Sequence, residues 1–247
     1  MPMSESSRER TASTKTRERM LACGKRIVSR TGLRGLTVRG VAAHAKVNLG
    51  TFVYHFGTRE AFINELMEQW YAPIYARLLD VTVDEDSPAL ERLRRFLLQL
   101  ATFLSDNRSF TRNVLIDAMT DEKAAISFIK SVLGRHPLLF FRLVQEAQRS
   151  GQLPEGDPKK IGIFLFGATL FPAMWLGVLI PTRLLGEQLR PLHRMEPTFS
   201  LGQIEERLDW ALEGLIPAAQ ASGAAALKDR DMNKTARRTK STSGARS

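Results

Sequence analysis

The chain has 247 residues, of which 43% are hydrophobic, and a formal net charge of +10. That length allows one small domain plus a larger one. Its single cysteine, Cys23, excludes an intrachain disulfide and suits a reducing, cytoplasmic setting. The basic excess lies at the two ends. Residues 1–70 carry 12 Lys/Arg against 6 Asp/Glu (+6), residues 71–220 carry 17 against 18 (−1), and residues 221–247 carry 7 against 2 (+5). A basic N-terminal part beside a near-neutral middle fits a chain that meets phosphates at one end only.

In chain order, residues 1–15 read as a basic flexible arm, in which Arg8, Arg10 and Lys15 begin a run continued by Arg17 and Arg19. The stretch 37–60 reads as two short helices around a tight turn. Thr37 is a good N-cap for the first, where Val38, Val41, Ala42 and Ala45 recur at helical spacing. Asn48 caps the second. There Phe52 and Phe56, four residues apart, can anchor into a small core beside Val47, while Asn48, Leu49, Thr51, Tyr54 and His55 fall elsewhere on the helix. Helical periodicity then predicts helices at about 59–80, 88–105, 108–119, 122–134, 137–150, 158–180 and 201–217, separated by Pro, Gly and Asp. The segment 181–199 reads as an irregular connection, and 221–247 as a basic, disordered tail.

A longer pattern, from about Thr16 to Phe62, resembles the DNA-binding domain of the tetracycline-repressor (TetR) family of one-component bacterial regulators. It comprises Met20, Leu21, Ile27 and Val28 turned inward on a first helix, then Gly32-Leu33-Arg34-Gly35-Leu36-Thr37-Val38, Val41-Ala42, Gly50-Thr51 and Tyr54-His55-Phe56, with Thr58-Arg59-Glu60 opening a further helix. The chain departs from the family in several ways, among them Arg59 where the family usually has Lys. Lys46 replaces the usual turn glycine and would adopt a left-handed conformation costing about 1–2 kcal/mol. Gly40 replaces a commoner acidic residue, and Val53 replaces a phosphate-touching tyrosine.

The resemblance implies an all-α protein: a three-helix helix-turn-helix domain at 16–62, and a helical ligand-sensing and dimerisation domain at 63–220. It also implies a cytoplasmic homodimeric repressor, released from a palindromic operator by a small apolar or amphipathic effector. On this reading Thr37 gives a phosphate contact, and Arg39 and Lys46 supply charge near the backbone. Asn48, Leu49 and Thr51 meet base edges or a thymine methyl, and Tyr54, His55 and Arg59 hold phosphates. A cavity among the central helices draws its candidates from Phe103, Phe110, Arg112, Met119 and Phe128, and from Phe141, Gln145, Phe171 and Trp175. Asp117 and Arg142 are further candidates for orienting a ligand's polar group. Dimer contacts fall to Phe164, Ala168 and Trp175, and to Leu208, Trp210, Leu212 and Leu215. The helix starting at Thr58 is the lever expected to connect cavity and DNA.

Other classes find less support. The four histidines show no i, i+4 metal pairing, and there is no phosphate-binding glycine loop, nucleophile elbow or Cys-His signature, so neither enzyme nor cofactor is expected. The uncharged run 161–182 is interrupted by Pro172 and diluted by glycine and alanine; it reads as a buried helix rather than a membrane span. The remaining alternative is a non-specific or architectural DNA-binding protein driven by its basic tails.

Overall fold

The computed structural model describes residues 5–179 and 202–215, with side chains placed over 11–171 and 202–215. Those residues form helices joined by short turns: α1 (Glu5–Thr31), α2 (Val38–Ala45), α3 (Leu49–Phe56), α4 (Arg59–Val83), α5 (Ala89–Asp106), α6 (Arg108–Met119), α7 (Lys123–Leu133), α8 (His136–Arg149) and α9 (Pro158–Leu179). A last helix, α10, covers 202–215. The expected helices stand within about three residues of their predicted limits. The N-terminal arm is a correction. Residues 5–15 are the opening turns of α1, where Thr16 Oγ1 donates to the Ala12 carbonyl. The segment 181–199 and the tail 221–247 lie outside the described residues.

Two apolar clusters organise the chain. The first gathers Met20, Leu21, Cys23 and Val28 of α1, Val41 and Ala45 of α2, and Phe52 and Phe56 of α3 around Phe62, Ile63, Leu66 and Met67 of α4. Burying such side chains stabilises by roughly 1.5–3 kcal/mol each, so this cluster alone can order two eight-residue helices too short to be stable in isolation. It also takes in Phe110 and Val114 of α6 and Ala125 of α7. The core therefore runs past residue 62 into elements distant in sequence.

The second cluster packs α4, α5, α8, α9 and α10. Helix α5 presents Leu93, Phe96, Leu97 and Leu100 at i, i+3, i+4, i+7. Gly162 of α9 permits close approach, because a Cβ there would lie 2.5 Å from Phe141 Cε1. Arg94 fixes α10 through two hydrogen bonds to Asp209 Oδ1, at 2.9 and 3.0 Å, and one to Glu205 at 3.0 Å. Leu208 and Leu212, expected between subunits, are instead buried within their own chain, and Leu215 packs against the same core. No helix among the described residues is long and apolar enough to cross a membrane.

Candidate nucleic-acid interface and internal cavities

The geometry of α2 and α3 follows from their caps. Thr37 is extended (φ −114°) and its hydroxyl accepts from Gly40 N at 3.0 Å. A Cβ at position 40 would come within 2.9 Å of that oxygen. The turn is closed by Lys46 in the left-handed region (φ 53°, ψ 48°), as its sequence position predicts. Asn48 then caps α3, its Oδ1 accepting from Thr51 N at 2.7 Å and from Thr51 Oγ1 at 3.0 Å.

Helix α3 is divided into two faces. Phe52 and Phe56 are buried, with ring centroids 5.2 and 4.7 Å from Phe62. Leu49, Val53 and Tyr54 stand on the outside, 44%, 56% and 80% exposed. Val53, which sequence reasoning discounted for lacking a hydroxyl, is thus part of an apolar patch with Leu49, one helical turn away. Arg39, Lys46 and Asn48 are exposed beside it, and His55 is half-buried with its ring edge-on to Tyr54 at 5.1 Å.

Arg59 requires a correction. Its guanidinium turns back into the protein, with Nε donating to the Leu36 carbonyl at 2.8 Å and Nη2 to the Leu33 carbonyl at 2.7 Å. Nη1 lies 3.9 Å from both Glu60 and Glu122. Loop carbonyls compete for a nearby cation as a phosphate would, so Arg59 acts as a clamp on the α1–α2 loop. Arg17 is likewise engaged, donating to Glu65 Oε2 at 2.7 Å with its guanidinium over the Phe56 ring at 5.2 Å.

The same loop is held from the other side. Buried Asp117 of α6 accepts from Leu33 N through Oδ2 at 2.5 Å, and Asn113 Nδ2 donates to the Val28 and Ser29 carbonyls at 2.9 and 3.0 Å. Gly32 has φ +74°, and any Cβ there would collide with the Asp117 carboxylate. Asp117 is therefore a staple between α6 and the end of α1, not a ligand-facing group.

Two adjoining cavities of about 240 and 220 Å³ lie among α4–α9 and share Leu100, Leu133, His136, Pro137, Phe166 and Leu170. Phe103 and Phe128 line the larger and Phe141 the smaller. The remaining expected lining residues are placed differently. Phe110 is buried against Trp70, with centroids 4.5 Å apart, and Met119 is 63% exposed. Gln145 and Arg142 are exposed, and Arg112 and half-exposed Phe171 line neither cavity. The Trp175 side chain lies outside the described residues. Sequence reasoning missed the polar groups of the cavities, Thr111 and the His136–Tyr71 pair, whose Nδ1 and hydroxyl are 2.8 Å apart. Burial holds His136 down at about 4 and pushes the Tyr71 phenol up to about 12. Both are neutral near pH 7.

Residues 21–66, the stretch that builds the first cluster and both short helices, match the profile of the bacterial regulatory proteins of the tetR family. That N-terminal part is a tetR-type regulatory domain. Its relatives are named as regulators of transcription, and the family is one of regulatory proteins rather than catalysts. The chain is 19% identical to the HTH-type transcriptional repressor DhaR of Mycobacterium sp. strain GP1 over 210 residues, 85% of this chain and 96% of the relative. It is 36% identical to the HTH-type transcriptional repressor KstR2 of Mycobacterium tuberculosis over 63 residues, 26% of this chain and 31% of the relative. Among solved structures, SmeT in its triclosan complex superposes with a TM-score of 0.64 at 19% identity, covering 82% of this chain and 92% of SmeT. That likeness is one of fold.

Proposed function

We propose that this protein is a homodimeric transcriptional repressor that reads a palindromic operator through α3 and leaves it when a small apolar molecule fills the cavities beside α6. The observation that carries the DNA-binding reading is the outer face of α3. Leu49, Val53 and Tyr54 expose apolar and aromatic surface that the fold does not use, flanked by Lys46, Arg39 and His55. An eight-residue helix of this kind enters a major groove, where apolar side chains meet thymine methyls and the flanking charges meet phosphates. Thr37, Asn48 and Thr51 combine capping with contact: a capping side chain fixes the helix end that must approach the backbone.

The dimer reading rests on α9 and α10. After the own-chain burial of Leu208 and Leu212, large apolar side chains remain exposed at Phe164 and Phe171 of α9 and at Trp210 of α10, with Ala168 half-buried among them. Two copies joined on this face would set two α3 helices for half-sites about one DNA turn apart. We assign residues 16–67 to the DNA-binding domain and the remainder through α10 to sensing and dimerisation.

An apolar effector suits the cavity walls, and triclosan, bound by SmeT, is a small apolar aromatic of that kind. Coupling would run through α6 as well as α4, since α6 lines the larger cavity with Thr111, Val114 and Leu115 while Asn113 holds the last turn of α1 and Asp117 the α1–α2 loop. A ligand that favours one position of α6 changes DNA affinity by the same free energy, typically about 1–3 kcal/mol. The test is selection of genomic fragments by the purified protein at near-physiological salt. Enrichment of one palindromic sequence supports the reading; salt-sensitive capture without enrichment supports non-specific binding instead.

A further inference from the structure

The walls of the two cavities carry information about what can occupy them. Almost every lining side chain is aliphatic or aromatic, and no Lys, Arg, Asp or Glu lines either cavity among the described residues. The few polar atoms differ in availability. Trp70 Nε1 donates to Asn107 Oδ1 at 3.0 Å, and the Tyr71 hydroxyl is taken by His136 Nδ1. Thr111 Oγ1 has no partner among the described residues, although its residue is only 9% exposed. A buried hydroxyl left unpaired is unfavourable, and a residue retained that way in an apolar wall is a ready partner for an incoming group. The imidazole of His136 lines both cavities, joining the two compartments at one polar point.

Charge argues in the same direction. Arg135, a cation beside this pair, lies over the rings of Tyr71 and Tyr75 at 5.4 and 5.9 Å, with Nη1 paired to Glu68 at 2.8 Å. A carboxylate inside would meet no counter-charge among the described residues, and an ionised group in apolar surroundings without a partner is disfavoured by its desolvation.

We propose that the paired cavities select an uncharged, elongated apolar molecule with a single hydrogen-bonding group, such as an alcohol or phenol, held between Thr111 of α6 and the His136–Tyr71 pair. This rests on the reading of the cavities as the effector site, and the tests of the two separate. Decanol, decanoate and decyl chloride are titrated calorimetrically into the full-length protein at neutral pH, without DNA. Decanol binding at least about tenfold tighter than either of the others supports the proposal. Thr111→Val should weaken decanol about tenfold toward the decyl chloride value while leaving the unliganded protein as stable as before, and His136→Phe serves as a second variant. Equal affinity for decanol and decanoate, decanol binding indifferent to both substitutions, or no binding of decanol overturns it. Operator release is measured separately with the same probes. Decanol that binds as described without releasing DNA refutes the effector reading and leaves the selectivity standing.

Discussion

Removing the Asp117 carboxylate should unfasten α6 from the α1–α2 loop. In Asp117→Ala the buried amide of Leu33 loses an acceptor 2.5 Å away. An unpaired buried donor costs about 1–3 kcal/mol, and a carboxylate acceptor belongs in the upper part of that range. For a chain of this size about 2 kcal/mol corresponds to a fall of roughly 4–8 °C in Tm. Gly32 provides an internal check. Gly32→Ala combines a left-handed backbone penalty of about 1–2 kcal/mol with a collision against Asp117, and only the collision disappears when Asp117 is alanine. The double variant should therefore lose less than the sum of the singles. Thermal denaturation followed by circular dichroism gives the four stabilities, and hydrogen exchange at the Leu33 amide reports the bond itself. An unchanged Tm with Leu33 still protected in Asp117→Ala, or strict additivity of the two changes, would refute the staple.

Further predictions concern the DNA face and the cavity. Lys46→Gly should stabilise the fold by about 1 kcal/mol, because it relieves a non-glycine φ of 53°, yet lower DNA affinity and reduce the salt slope by about one. Tyr54→Phe should weaken binding similarly across sequences, whereas Thr51→Ala should alter sequence preference; binding profiles that change identically would contradict that division. His136 gives a pH dependence. Folded His136 titrates at about 4 and the unfolded residue at about 6.5, so between those values the unfolded chain binds a proton that the folded chain does not. Stability therefore falls as pH drops through that window, by up to about 3 kcal/mol at its lower end, and the wild-type minus His136→Phe difference in denaturant midpoints should track it.

The helices were legible because apolar spacing and Pro, Gly and Asp breaks coincide in this chain, and the turn at Lys46 because it stands where the resembled pattern has its turn glycine. Side-chain commitments were less so. Arg59 shows why: its position at a helix start suggests an anion, while carbonyls 23 and 26 residues earlier satisfy it in the fold. Leu208 and Leu212 have the spacing of an interface and of a core alike, and Arg94 and its acidic partners on α10 turn them inward. Thr111, His136 and Tyr71 lie on three different helices, so no local pattern could bring them to one wall. Residues 5–15 are rich in charge and hydroxyls, yet they extend α1.

The central claim is that two copies of α3 read two half-sites. It is tested most directly by hydroxyl-radical footprinting of the full-length protein on its selected genomic fragment, with stoichiometry from the same samples. The account predicts two chains per site and two protected backbone segments about 10 base pairs apart, with protection lost in a scrambled sequence. Uniform protection that follows the protein onto any sequence would contradict it.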